Sequence, residues 1–366
     1  MHPYHPTRRE FLRHGSAGFA AASGLFSARG ARAASSVIVT DPGGEWQAAA
    51  KAAFYTPFQA TTGTTVRFAS RPSQPLDQPL VELEDMALAH NVRWDVTNLA
   101  DYLIYRGGKA GILQPIDYRG MNTAGMPEDA LMPYGVRLDA SASIMACSTR
   151  RWPAGQGPQS WADFWDVARF PGRRAMSGIG YGPLEFALLA DGVPVEKLYP
   201  LDIERALAKM SEIKPHIAVW WRSGAQQEQL MREGAVDLIQ GSSSRLYAGI
   251  AGGGPFHPQW NQGMYQWEGW VIPKRAPHAA EAADFVAFTM QPKQQAMFAE
   301  HIAYGPSNQD ALAAIPKERQ AILPTYPPNL ERLFQADAEW VADNLDTLTL
   351  AWTKWRASCL WHGSAC

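Results

Sequence analysis

Short runs of β-forming residues alternate with helical patterns along this chain, and the alternation occurs twice. In the first half, residues 35–40, 64–70 and 93–99 have strand character, and residues 45–63 have the composition of a helix. In the second half the same order resumes with a strand-like run at residues 141–147. This β-α-β-α order predicts an α/β fold with a mainly parallel sheet. Because single cores stop growing near about 250–300 residues, the length of 366 residues also predicts two domains.

The N-terminus has the features of a removable export signal. Arg8 and Arg9 precede a weakly apolar stretch at residues 17–26, which is far shorter than the roughly 20 apolar residues that span a bilayer. Ala31-Arg32-Ala33 then has the small-x-small pattern of a signal-peptidase site. The pattern resembles a bacterial twin-arginine signal, so we predict a signal peptide at residues 1–33. A basic, disordered N-terminus is the alternative.

Charge and aromatic content limit the classes of partner. Without residues 1–33, which carry five arginines and one glutamate, the formal net charge falls from −2 to −6. Nucleic-acid binding needs a basic stripe, so we expect no nucleic-acid partner. The 14 tryptophans and 12 tyrosines indicate either a large aromatic core or surfaces that stack on a ligand.

The three cysteines give little sign of redox or metal chemistry. Cys359 and Cys366 are close enough in sequence to form a disulfide in an oxidising compartment. Cys147 lies in an apolar run, which predicts a buried free thiol. No Cys/His spacing suits zinc, and we expect neither a metal nor a cofactor.

The motifs of common exported enzymes are absent. The chain contains no G-x-S-x-G elbow, no H-E-x-x-H and no G-x-x-x-x-G-K-[ST]. We therefore predict that the protein is not an enzyme, with an exported enzyme of other chemistry as an alternative.

One carboxylate stands in an aromatic strand-like run. In the stretch MYQWEGWVIP, Glu268 lies between Trp267 and the β-forming residues that begin at Trp270. A charge at the mouth of a buried strand is costly unless something pairs with it. The partner could be a cationic ligand or, alternatively, Lys274 or Arg275 at a surface hinge.

Several segments carry a family resemblance, and together they cover nearly the whole chain after the signal. They resemble, in order, the bacterial extracellular solute-binding proteins of the spermidine/putrescine-binding type. The segments are residues 42–66, 160–176, 184–206, 270–278 and 303–308.

The resemblance implies a periplasmic-binding-protein fold, type II-like, with two α/β lobes joined by hinge strands around a cleft. Lobe 1 would hold residues 36–138 plus 268–305, and lobe 2 residues 139–267 plus 306–366, with crossings near residues 137–141 and 262–268. A monomer in the periplasm would bind a small-molecule amine and deliver it to an ABC permease with its ATPase. A receptor for a sensor kinase is an alternative partner assignment.

The ligand site is expected where strands end, because ligands of open α/β sheets sit outside the carboxyl ends of strands. In the related polyamine binders, carboxylates hold the ammonium groups and aromatic rings stack along the methylene chain; Tyr102, Glu185 and Glu268 match such positions. The predicted ligand-binding residues are Asp41, Glu45, Trp46, Ser70, Asp101, Tyr102, Glu185, Gln240, Ser242, Gln266, Trp267, Glu268 and Tyr304.

Two departures from the family pattern affect the ligand. Gln266 stands where the polyamine binders carry a tryptophan, and Gln240-Gly241-Ser242 replaces a Trp-Asn-Gly run. A smaller or more polar amine, such as an amino-acid derivative or opine, is therefore an alternative to a polyamine. Arg71 or Arg245 would then meet the ligand carboxylate, because arginine makes bidentate pairs with it. A ferric-iron-binding protein of similar shape is a further alternative, although its usual pair of adjacent tyrosines is absent.

Overall fold

The computed structural model describes residues 35–69, residue 71 and residues 77–358. The predicted signal peptide, Ser70, Cys359 and Cys366 lie outside the described residues. Within the described part, no helix has the length and apolarity needed to cross a membrane.

One mixed sheet of 11 strands organises the described residues. Its strands follow the order β2-β1-β3-β9-β5-β8-β6-β7, with β4 and β10 paired to β5 and β11 paired to β9. The strands are β1 (Ser36–Thr40), β2 (Thr65–Phe68), β3 (Val96–Ala100), β4 (Leu131–Met132), β5 (Gly135–Ser148), β6 (Arg174–Ser177), β7 (Ile217–Trp221), β8 (Leu238–Ser242), β9 (Phe256–Val271), β10 (Gly305–Pro306) and β11 (Leu333–Gln335).

The sheet corrects the expectation of a mainly parallel arrangement. The outer strands β1, β2 and β3 are parallel, as are β6, β7 and β8. The two central strands β5 and β9 run antiparallel to each other and to their neighbours β8 and β3. The order of elements along the chain predicts the parallel units, but it does not predict the direction of the long strands that join them.

Strands β5 and β9 pair along most of their length and carry the two segments predicted to cross between lobes. Asp139 lies opposite Glu268, Ala140 opposite Trp267, and Ser141 opposite Gln266. The predicted crossings are thus adjacent in space, while the proposed lobe boundaries stay a prediction.

Fourteen α-helices are found in the described part, and most flank the sheet. They are α1 (Gly44–Ala50), α2 (Thr56–Thr62), α3 (Gln78–Leu88), α4 (Asp101–Lys109), α5 (Trp161–Trp165), α6 (Leu184–Ala190), α7 (Ile203–Ile213), α8 (Gly224–Arg232), α9 (Ser243–Ala251), α10 (Ala279–Thr289), α11 (Pro292–His301), α12 (Lys317–Gln320), α13 (Pro327–Leu330) and α14 (Ala338–Ala357). A π-helical turn, Lys51–Tyr55, joins α1 to α2.

Helix ends follow local sequence signals. The Ser160 side chain accepts a hydrogen bond from the Asp163 amide at the start of α5, as its capping pattern predicts. Gly63 ends α2 in the left-handed conformation (φ 76°), which glycine adopts at little cost. The apolar stripe of α10, which includes Phe285 and Val286, is buried.

The C-terminal segment differs from the continuous helical stripe that its sequence suggests. Leu333–Gln335 forms β11 beside β9, and α14 begins only after Asp337, whose side chain accepts from the Trp340 amide. Pairing with a long strand overrides the helical pattern there, because it satisfies backbone groups that a helix end would leave open. Cys147 is a buried free thiol, as predicted.

Candidate ligand-binding site

Two adjacent cavities lie beside the central strands and share Tyr102 and Gln266 in their walls. We name the first the acidic cavity; it measures about 410 Å³ and is lined by Glu268 and Arg71 among others. We name the second the aromatic cavity; it measures about 180 Å³ and is lined by Tyr181 and Trp221 among others. Their combined size falls in the range of small-molecule sites, about 300–1,000 Å³.

Glu268 reaches the acidic cavity because it lies on the β9 face that also presents Gln266. Its carboxyl makes no hydrogen bond and no ion pair within the described residues, so the alternative pairing with Lys274 or Arg275 is not observed. Burial raises the pKa of Glu268 to about 7, while the nearby charge of Arg71 lowers it and that of Asp101 raises it. This carboxyl is therefore a ready acceptor for a cationic group.

Arg71 supplies a positive charge to the same cavity. Its Nη2 donates a hydrogen bond to the Asn98 carbonyl at 2.9 Å, and its buried Nε has no partner among the described residues. Burial lowers the pKa of Arg71, and the negative charge of Glu268 opposes that shift. The cavity therefore presents an acceptor and a donor of opposite charge to one ligand.

Arg245, the other arginine considered for a ligand carboxylate, is already engaged. It donates to Glu45 at 2.5 Å and to Glu228 at 3.0 Å. Glu45 is exposed and lies at the cavity rim through this ion pair, so the structure places it beside the acidic cavity instead of in its wall.

Aromatic rings form much of both cavities. Trp46 and Tyr304 line the acidic cavity, and Tyr181 and Trp221 line the aromatic one. Gln266 donates to the Tyr181 hydroxyl at 3.4 Å. Gln266 thus places a polar group between the two cavities.

Seven of the predicted residues come together in the cavity walls: Trp46, Tyr102, Gln240, Ser242, Gln266, Glu268 and Tyr304. The adjacent tryptophans 220 and 221 divide as strand geometry predicts, since only Trp221 faces a cavity and Trp220 packs against Trp352 and Trp355.

Two predicted carboxylates are buried and already paired. Asp41 accepts hydrogen bonds from the Gly43 amide and the Tyr55 hydroxyl, both at 2.7 Å. Asp101 pairs with Arg137 at 3.3 Å, and burial raises the pKa of Asp101 to about 6 although Arg137 opposes the shift. Neither residue lines the acidic or the aromatic cavity, and both carboxyls already have hydrogen-bond donors.

Two further predicted residues lie away from the ligand space. Trp267 points to the opposite face of β9 from Gln266 and Glu268, because side chains alternate along a strand. Glu185 is fully buried behind Tyr181 and accepts from the Tyr199 hydroxyl at 2.9 Å. Burial raises the pKa of Glu185 to about 7.

One carboxyl near the site was not found from the sequence. Asp139 lies opposite Glu268 on β5 and is completely buried. An acidic residue inside the apolar run that becomes β5 was the available signal, but only the strand register shows its neighbour.

Metal chemistry finds no support in the described ranges. No group of three or more His, Cys, Asp or Glu side chains there is arranged to hold a metal ion.

Comparisons with known proteins agree with the geometry. Residues 53–325 match the bacterial extracellular solute-binding protein family. The Gamma-aminobutyric acid-binding protein of Pseudomonas aeruginosa is 34% identical over 341 residues, which cover 91% of this chain and 95% of that protein.

Solved structures extend the likeness to the fold. An ABC transporter substrate-binding protein from Bradyrhizobium japonicum is 35% identical, with a TM-score of 0.81 over 88% of this chain and 99% of that one. The Atu4243-GABA receptor is 28% identical, with a TM-score of 0.81 over 90% of this chain and 99% of that one. The chain therefore belongs to the bacterial extracellular solute-binding proteins, which bind small molecules for ABC transporters and are not enzymes.

Proposed function

We propose that this protein is the periplasmic receptor of an ABC importer for a small zwitterion that carries both an ammonium and a carboxylate, with γ-aminobutyric acid as the model ligand. The observation that carries the proposal is the pairing of two unsatisfied groups in one cavity. The Glu268 carboxyl makes no hydrogen bond or ion pair with the described residues. The buried Nε of Arg71 has no hydrogen-bond partner among them either.

The chemistry of the two groups fits the two ends of such a ligand. An ammonium at Glu268 gains a charge-assisted hydrogen bond, and a carboxylate meets the planar guanidinium of Arg71. The rings of Tyr102, Trp46 and Tyr304 line the same space and suit the methylene chain between the charges. The relative from Pseudomonas aeruginosa, which is named for binding γ-aminobutyric acid, supports this ligand class.

A polyamine fits the cavity less well than a zwitterion. A second ammonium would stand near the positive charge of Arg71, and like charges in a desolvated site repel. Gln266 also replaces the ring that the polyamine binders use. We therefore propose that the ligand is not a polyamine but an amino acid whose ammonium and carboxylate are separated by a methylene chain.

The remaining parts of the proposal concern location and movement. The signal at residues 1–33 would direct the chain to the periplasm, where it would act as a monomer. Lobe 1 (residues 36–138 and 268–305) and lobe 2 (residues 139–267 and 306–366) would close on the ligand by bending at β5 and β9, and the permease would recognise the closed form.

Calorimetry tests the ligand class. The protein is titrated with γ-aminobutyric acid, 5-aminovaleric acid, lysine, putrescine and spermidine, and we expect the first two to bind tightest. Glu268→Gln should weaken their binding by a hundredfold or more, because stranding a buried ammonium costs about 3–5 kcal/mol. Glu204→Gln, at an exposed residue of α7 that has no ion pair with the described residues, is the matched control. Tight binding of only solutes that lack an ammonium group, or tighter binding of putrescine or spermidine than of γ-aminobutyric acid, would overturn the proposal.

A further inference from the structure

Asp139 is a carboxyl that the strand register places next to the ligand-binding carboxyl. The two residues are directly opposite on the antiparallel strands β5 and β9, so their side chains share one face of the sheet. Opposed Cβ atoms in such pairs lie about 4.5–5.5 Å apart, within reach of one hydrogen bond between two carboxyl groups.

The surroundings of Asp139 disfavour a negative charge there. Its side chain is fully buried, and neither carboxyl oxygen has a hydrogen-bond partner among the described residues. The indole of Trp46 is close enough to lower the pKa of Asp139, yet its Nε1 also completes no hydrogen bond. A bare carboxylate in such a place is costly, whereas a neutral acid needs only one acceptor for its O–H.

We infer that Asp139 is a protonated positioning residue that donates its O–H to the Glu268 carboxylate and holds it as the one negative charge that receives the ligand ammonium. The inference deepens the proposed function and rests on it for the identity of the cation. No bond between heavy atoms changes: the proton stays on Asp139, and any proton on Glu268 is transferred to water as the ammonium arrives.

The charged groups around the pair are consistent with this assignment. Burial and the charge of Glu268 both raise the pKa of Asp139 well above its ordinary value. Charged and titratable groups from five other places surround the pair. The groups that interact with Glu268 are Arg71 after β2, Asp101 and Tyr102 at the start of α4, and Tyr304 before β10. Arg137 on β5 acts on Asp101, and Arg245 on α9 acts on Tyr304.

Two substitutions distinguish a protonated Asp139, which donates a hydrogen bond, from an ionised Asp139, which adds a second negative charge. Asp139→Asn keeps the shape and a donor without a charge, whereas Asp139→Leu keeps the branching of the side chain at a larger volume and removes the donor. With γ-aminobutyric acid as the probe, we expect Asp139→Asn to bind within threefold of wild type at pH 7. We expect Asp139→Leu to bind about tenfold more weakly or worse.

The pH profile distinguishes positioning from a merely structural role. Wild-type affinity should rise between pH 6 and 8 as Glu268 ionises, with the same midpoint in Asp139→Asn and a higher midpoint in Asp139→Leu. A loss of tenfold or more in Asp139→Asn with a midpoint moved to lower pH would show that Asp139 is ionised, which overturns the inference. Wild-type behaviour of Asp139→Leu would overturn it as well.

A ligand-free measurement keeps the inference independent of the ligand assignment. Carboxyl ¹³C spectra of the aspartate-labelled protein should contain one resonance at the neutral-acid position throughout pH 5–8 that is missing from Asp139→Asn. If none of the amines binds wild type, the proposed function fails while this resonance still decides the state of Asp139. An Asp139 resonance at the carboxylate position at pH 7 would refute the inference whatever binds.

Discussion

Arg245 of α9 donates a 2.5 Å hydrogen bond from Nη1 to Oε2 of Glu45, at the start of α1. The same nitrogen also contacts Glu228 of α8 at 3.0 Å. The ion pair joins α1, beside the β1–β3 end of the sheet, to α9, beside the β6–β8 end. It therefore ties the two walls of the acidic cavity together at its rim.

We predict a modest, salt-dependent loss of affinity on removing this tie. Exposed ion pairs contribute about 0–1 kcal/mol, so Glu45→Gln should weaken ligand binding by no more than about fivefold. The change should lie mainly in the dissociation rate and should become smaller at 1 M salt, where the Debye length falls to about 3 Å. Stopped-flow measurements at two salt concentrations check both points.

Glu212→Gln is the control for Glu45→Gln. Glu212 pairs with Lys209 at 2.7 Å within one helix, α7, and does not border the acidic cavity. Equal effects of the two substitutions would mean that the Glu45–Arg245 pair has no part in holding the cavity closed.

Arg71 gives a second prediction, on ligand selectivity. Removing its guanidinium by Arg71→Gln should lower the affinity for γ-aminobutyric acid by about 10- to 150-fold, because charge-assisted hydrogen bonds contribute about 1.5–3 kcal/mol. Butylamine, which has the ammonium but no carboxylate, should lose nothing. Calorimetry with both compounds measures the difference.

Arg222→Gln is the matched control for this test. Arg222 is exposed and lines the same cavity, but it has no unpartnered buried nitrogen among the described residues. A loss in Arg222→Gln that equals or exceeds the loss in Arg71→Gln would place the carboxylate subsite at Arg222.

The buried acids give a third prediction, on stability against pH. Burial raises the pKa of Glu185 and of Glu268 to about 7 and that of Asp101 to about 6. In this range the folded state binds more protons than the unfolded state, so the unfolding free energy falls as pH rises. Without ligand, stability should be greatest near pH 5 and should decline towards pH 8.

Urea unfolding from pH 5 to 8 tests whether the unfolding free energy falls as pH rises. Glu185→Gln tests whether the buried acids cause this fall. Each raised group contributes at most about 1.4 kcal/mol per pH unit, and glutamine still accepts from the Tyr199 hydroxyl. Glu185→Gln should flatten the decline, whereas the exposed Glu204→Gln should leave it unchanged. A stability that rises over this range would contradict the assignment of raised pKa values.

Local sequence signals account for much of the fold, but the site depends on long-range pairing. β1, the cap of α5 and the buried stripe of α10 follow from period and capping alone. Glu268 could be selected because an acid in an aromatic strand is costly. The directions of β5 and β9 and the switch from helix to β11 arise from strand pairing, which local patterns do not encode.

The acidic residues show most clearly that local sequence patterns do not predict long-range contacts. Asp41 and Asp101 are predicted as ligand-binding residues together with Glu268, because each follows a strand. Their donors, Tyr55 and Arg137, are 14 and 36 residues away, and only the folded chain brings them together. Asp139 was missed for the converse reason, because its importance comes from the register that sets it opposite Glu268.

Gly182 gives the fourth prediction, which concerns the wall between the aromatic cavity and α14. It has a φ of 78°, and a Cβ added there would lie 2.5 Å from the Trp352 ring. Trp352 is itself buried and stacks on Trp355. Gly182→Ala must therefore displace α14 or the cavity wall, in addition to adopting a left-handed backbone.

Gly155→Ala isolates the Trp352 contact, because Gly155 has nearly the same φ, 80°, and no atom of the described residues lies within 4 Å of an added Cβ. Both substitutions should lose about 1–2 kcal/mol of stability from the backbone. Gly182→Ala should lose about 1–3 kcal/mol more from overpacking, with a change in tryptophan fluorescence and weaker ligand binding. Urea unfolding followed by fluorescence measures both, and equal losses in the two variants would show that Trp352 does not buttress the cavity wall.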